Sequence, residues 1–167
     1  MILVGPTVLY ELGMVGELDL LGAFNGDLVV PEAAIAEVDV EPARTNVERF
    51  LDEGEVATVV DTGGFEGDAR ALLGVEELTA DAALVAAVLA ARDRGEDVAL
   101  VSDDRRLRAI ADGLGATVTG TFGTVARAAS EDKYFPTSQA KRVVRRTDSH
   151  GLQMTGRLRE QAVGEVE

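Results

Sequence analysis

Apolar residues fall along this chain in two rhythms. Short unbroken runs, ILV at 2–4, LVV at 28–30, VATVV at 56–60, VALV at 98–101 and ATVT at 116–119, have the length of strands buried on both faces. Between them apolar residues recur at helical spacing. VLYELGMVGELDLLGAF reads as helix with a break at Gly16, and Pro31 starts a helix reaching to about Val38. ARTNVERFLDEG is a helix closed by Gly54, Thr79 caps a helix over 80–93, and helix 104–112 stops at Gly113. GTFG then leads into a helix over 124–129. The segment DTGGFEGD reads as a loop, and its glycines lack the lysine and hydroxyl of a phosphate-binding loop. Strands alternating with helices predict a parallel sheet covered on both faces, an α/β/α arrangement. Beyond Pro136, SQAKRVVRRT and LQMTGRLREQAV predict a helical hairpin with His150-Gly151 between its arms. The expected organisation is a domain over 1–130 with a helical extension over 131–167 packed on it.

Length and composition narrow the class. The 167 residues, 46% of them hydrophobic, suit one domain with a sizeable core. No apolar run approaches the roughly 20 residues of a membrane span, and MILVGPTVLY lacks the basic start of a signal peptide, so a cytoplasmic protein is expected. With no cysteine, disulfides and thiolate metal sites are excluded. Any metal would take oxygen ligands, which suits Mg²⁺ or Mn²⁺ better than zinc.

Charge adds two features. The net −14 is carried by 30 acids with only two lysines, Lys133 and Lys141, a composition that resembles salt-adapted archaeal proteins. The distribution is also uneven. Residues 1–100 hold 21 acids against 5 bases, whereas residues 101–167 hold 9 against 11, so a polyanion would be steered to the second part.

The candidate chemistry lies in acids that follow strands. Asp81 opens the long apolar helix, Asp103-Asp104 follow VALVS, and Glu37 follows LVVPEAAIA. A parallel sheet gathers its strand ends along one edge, so acids far apart in sequence can share a pocket for a divalent metal. Each has a structural alternative. Asp81, Asp103 and Asp104 sit at helix starts, where carboxylates cap N–H groups and complement the helix dipole, and Glu37 suits a solvated helix surface. His150 suits a turn, and KRVVRR at 141–146 suits either a solvated face or a phosphate contact.

Resemblance to a known family bears on those alternatives. VGPTVLYELGMVGELDLLGAFNGDLVVPEAAIAEV, LTADAALVAAVLAA, LVSDDRRLRAIADGLGATVTGTFGTV and HGLQMTGRLREQAV together resemble PIN-domain proteins, the metal-dependent ribonucleases that include VapC toxins. The likeness is to a PIN-like subgroup of small prokaryotic proteins and is most specific at LVSDD. It implies a Mg²⁺- or Mn²⁺-dependent endoribonuclease with RNA as substrate, a homodimer, and an antitoxin protein as a further partner. It places the family's second acid on Glu37, the third on Asp81 and the fourth on Asp103, with Asp104 adjacent and Thr7 at the small hydroxyl position. Where the family has its first acid, at the end of strand one, this chain has Gly5 followed by Pro6. Glu11, further along the first helix, is a candidate substitute ligand.

Two functional classes therefore stay open: a ribonuclease holding its metal with Glu37, Asp81 and Asp103, and a degenerate PIN fold that binds RNA or protein without turnover. A receiver-type signalling domain would need paired acids just after strand one, where Gly5-Pro6 stand.

Overall fold

The computed structural model describes residues 1–131 and 137–149. Five strands, β1 (Ile2–Val4), β2 (Leu28–Val29), β3 (Val56–Ala57), β4 (Ala99–Val101) and β5 (Thr117–Thr119), form one sheet in the order β3-β2-β1-β4-β5. Every pair is parallel, with Leu3 opposite both Val29 and Leu100. The chain steps outward from β1 to β2 and β3, then crosses back to the other side of β1 for β4 and β5. That reversal puts a crevice beyond the C-terminal ends of β1 and β4, where open α/β sheets place their sites.

Period-two alternation decides which residues face which layer. Ile2, Val4 and Val101 point into one core with α1 (Pro6–Val15), a 3₁₀ helix (Leu18–Ala23), α3 (Ala43–Glu53), α7 (Thr121–Glu131) and α8 (Thr137–Ser149). Leu3, Val29 and Leu100 point to the opposite core, packed with α4 (Glu66–Leu73), α5 (Ala80–Asp93) and α6 (Arg105–Gly113). The result is a three-layer α/β/α fold. α5 is lined by Ala82, Ala83, Ala86, Ala87, Ala90 and Ala91, all buried, and these small side chains let neighbouring helices pack closely against it. Ala140, Val143 and Val144 of α8 join the first core at i, i+3 and i+4 spacing, so this helix shares the domain's interior.

Several elements differ from the sequence reading. The Gly-rich segment before Ala69 is only half loop: α4 starts at Glu66, where Glu66 and Asp68 complement its N-terminus and Ala69 and Leu73 are buried. The helix expected from Pro31 to Val38 is the short α2 (Glu32–Ala36), leaving Glu37 at its C-terminal cap. The helix expected over 124–129 starts earlier, at Thr121, for a reason that belongs to the site. The first helix breaks at Gly16, whose φ of 71° is left-handed and favours glycine. His150-Gly151 and the second arm of the expected hairpin lie outside the described residues.

Candidate metal centre at the sheet's switch point

Four short segments meet at the β1–β4 crevice. The first is Gly5-Pro6-Thr7. Gly5 donates its N–H to the Val101 carbonyl at 2.9 Å, and Pro6 occupies the first turn of α1, where no N–H partner is needed. The second is Ser102-Asp103-Asp104, which carries β4 into α6. The Thr7 hydroxyl accepts a hydrogen bond from the Asp103 N–H at 3.0 Å and lies 3.5 Å from the Ser102 hydroxyl, tying the two strand ends together. Ser102, fully buried, accepts in turn from the Asp104 N–H at 3.2 Å.

The two adjacent aspartates have different surroundings. Asp103 accepts from the Thr121 N–H at 2.8 Å and from the Thr121 hydroxyl at 2.6 Å, so both of its oxygens hold the start of α7. A side chain on Gly120 would collide with the Asp103 carboxylate, and the absence of one lets the two segments meet. Asp104 caps α6 through one oxygen, accepting from the Leu107 N–H at 2.7 Å, and its charge bears on Asp81.

The third segment is the start of α5. Its cap is Thr79, which accepts from the Ala82 N–H at 3.2 Å, so Asp81 is not needed for capping. The half-buried Asp81 carboxyl is pushed up from its ordinary value by burial and by the Asp104 charge, with Arg106 opposing. The fourth is the end of α2, where Glu37 is raised by partial burial and by Asp81. Glu37, Asp81 and Asp104 are thus successive electrostatic neighbours of one sign, drawn from three separated parts of the chain. Among the described residues, no three acids, histidines or cysteines stand close enough together to enclose an ion.

Glu11 stands apart from these. Although charged, it is only 7% exposed, and its Oε2 has no hydrogen-bond partner. Burial, with the Asp103 charge adding to it, raises its carboxyl to about 7. Four polar side chains are fully or nearly fully buried among the described residues: Glu11, Ser102, Thr121 and Thr124. Three of them belong to the β4 end and the start of α7.

Of the sequence candidates, Thr7, Asp103 and Asp104 share direct hydrogen bonds or a common neighbour, while Glu37 and Asp81 reach the group through charge. The sequence reading passed over Ser102, Gly120 and Thr121. A hydroxyl at a strand-to-helix turn and another at the first position of a helix were the available signals.

A family model described as a PIN domain matches residues 1–167, and the chain belongs to that family. Neither the curated proteins nor the solved structures yield a match. PIN domains have a nuclease-like fold, generally use divalent metal ions and commonly bind RNA. The donors at the crevice fit such an ion in kind: all are oxygens, and the like charges of Glu37, Asp81 and Asp104 act on one another, with Arg106 offsetting them only in part. A hard cation such as Mg²⁺ keeps several waters and takes only one or two protein carboxylates, so neighbouring pairs rather than a closed cage suit it.

Proposed function

We propose that this chain is a metal-dependent endoribonuclease of the PIN type that hydrolyses RNA phosphodiester bonds. The observation that carries the reading is the succession Glu37–Asp81–Asp104 at the switch point, where burial and like charge raise Glu37 and Asp81. A divalent cation held there, Mg²⁺ or Mn²⁺, would polarise the scissile phosphate and make water a better nucleophile near neutral pH. Asp81 and Asp104 are the assigned ligands, with Glu37 reaching the same ion through water. Asp103, taken by the resemblance as the fourth acid, keeps a site role through its backbone N–H to Thr7 and its grip on α7. Thr7 and Ser102 fix the spacing of the two strand ends.

Arg105, Arg106 and Arg108 follow directly on α6 and place positive charge beside the acids. The Arg106 guanidinium is anchored on the Leu73 carbonyl at 2.7 Å. RNA approaching from the basic second part of the chain meets these arginines before the acids. The same reading includes a cytoplasmic protein acting as a homodimer, opposed by an antitoxin protein and adapted to high salt. The resemblance supports the partners, and the −14 charge supports the salt adaptation. No helix among the described residues is long and apolar enough to cross a membrane.

The second reading, a PIN fold that binds RNA without cleaving it, is favoured by one observation: Gly5 offers no carboxylate at the end of β1. RNA cleavage with Mn²⁺ in high KCl, run beside Asp81→Asn and Asp104→Asn, separates the two. Cleavage lost in both variants supports the nuclease. RNA binding without cleavage by wild type supports the module.

A further inference from the structure

At the edge of the sheet opposite the crevice, the starts of β1 and β4 open into a cavity of about 320 Å³, within the range of small-molecule sites. Its floor is flat. The register sets Ile2 beside Ala99 and Ala99 beside Thr117, so three side chains from neighbouring strands stand in one row about 10 Å across. Phe24 forms a wall and is held by Arg127, whose guanidinium lies 5.3 Å from the ring centroid and donates to the Ala23 carbonyl at 3.1 Å. Gly123 also lines the cavity, and a side chain there would strike the Thr119 hydroxyl. Exposed Asn25 and Asp97 stand at the rim. Neither side chain makes a hydrogen bond or ion pair with a described residue. Arg127 is paired with Glu131 at 2.9 Å, which leaves Asp97 as the unpaired charge of the cavity among the described residues.

A carboxylate only accepts hydrogen bonds, so beside a flat, largely apolar floor it suits a flat ligand that presents two donors side by side. Among the nucleobases guanine alone does so, with its N1–H and 2-amino group. Adenine and cytosine present one donor beside an acceptor, and uracil one N–H between two carbonyls. A guanidinium also presents two donors, but it is small against a row of this width. We propose that the cavity binds a guanine base, with Asp97 accepting from N1–H and the 2-amino group and Asn25 donating its side-chain amide to O6. The base comes from a free nucleotide or from a guanosine of single-stranded RNA, which share this chemistry. The site needs no metal and does not rest on the nuclease reading. Asn25 and Asp97 precede β2 and β4, whereas the crevice acids follow strands.

Isothermal titration calorimetry in high KCl with EDTA reads binding without metal, using GMP, IMP and arginine as probes. GMP is expected to bind at least about tenfold more tightly than IMP, which lacks only the 2-amino group, because one bidentate contact carries roughly that discrimination. Asp97→Asn is expected to erase the preference. Asn25→Ala is expected to weaken GMP and IMP alike, since both carry O6. Both positions are exposed, so each variant should melt near wild type. A short oligouridine with one internal guanosine, compared with the all-uridine strand, identifies the source of the base. Binding of GMP alone assigns a free nucleotide, and tighter binding of the guanosine-bearing strand assigns RNA. Equal binding of GMP and IMP, arginine binding as tightly as GMP, a preference that survives Asp97→Asn, or no binding of either GMP or the guanosine-bearing strand would overturn the proposal.

Discussion

Helix α5 is about 20 Å long, and its two ends treat acids in opposite ways. At its C-terminal end Arg94 pairs with Asp61 at 2.9 Å and with Glu96 at 3.0 Å, and the Arg94 guanidinium holds the Glu96 carboxyl below its usual value. At its N-terminal end Asp81 stands between Glu37 and Asp104, and Glu37 and Asp81 are raised instead. Residue types are the same at both ends. The first arrangement is what folding alone selects in an acid-rich chain: exposed, paired and weakly stabilising. The second opposes folding, because like charges are brought together in partial burial, and such clusters mark sites that await a counter-charge.

Removing a charge at the crowded end should have the largest effect. Asp81→Asn or Asp104→Asn is expected to lower Mn²⁺-dependent RNA cleavage by at least about 100-fold, since loss even of groups behind metal ligands costs 10–100-fold. Steady-state cleavage of a labelled RNA checks this. Asp104→Asn can still cap α6, so its melting temperature should stay near wild type, which separates loss of chemistry from loss of fold.

Next in size is a pH effect carried by Glu11. Its folded-state value of about 7 lies above the ordinary 4.5, so the folded protein holds a proton that the unfolded chain gives up. Without metal, the Glu11 contribution to stability is complete below about pH 4.5, falls as pH rises toward about 7 and then levels off. At about 1.4 kcal/mol per unit the total loss is about 3 kcal/mol. Urea unfolding of wild type and Glu11→Gln at pH 5 and pH 7.5 checks this: the variant should lose less stability across the interval. Equal losses would place the Glu11 carboxylate in contact with water or with a donor.

A smaller effect is expected at Thr121. Thr121→Val removes the hydroxyl that grips Asp103 and leaves the backbone hydrogen bond. The expected cost is about 2 kcal/mol, the usual worth of a hydrogen bond to a charged group, measured as a shift of the urea midpoint. The smallest effect belongs to the other end of α5. Arg94→Gln breaks two exposed ion pairs and should leave the urea midpoint nearly unchanged, with cleavage unaffected. A large loss of activity there would erase the contrast between the two ends.

Much of this was legible in the sequence, and the parts that were not share a cause. Five apolar runs gave the strands, although LVV and VATVV pair over only two residues each. Thr79 announced the start of α5, and Gly16 the end of α1, because caps are local chemistry. The α4 helix was hidden by glycines: DTGGFEGD is loop-like in composition, and Gly67 sits inside the helix that follows. At the site, the sequence could bring Asp103 and Asp104 to the end of β4, but what each meets there depends on Thr121, 18 residues after Asp103, and on Asp81, 23 residues before Asp104 on α5. Glu11 stood out in the sequence as an acid in an apolar helix and a candidate substitute ligand, but not as a buried one. Its burial is a product of tertiary packing, which no local pattern encodes.

The most direct test of the contrast is a pair of melting curves. Wild type and Asp81→Asn would each be melted without metal and with saturating Mg²⁺ in high KCl. If Asp81 belongs to a cluster of like charges that awaits a cation, Asp81→Asn melts higher than wild type without metal, and Mg²⁺ raises wild type more than the variant. If Asp81 merely complements the start of α5, the substitution is neutral or destabilising without metal, and Mg²⁺ shifts both proteins alike.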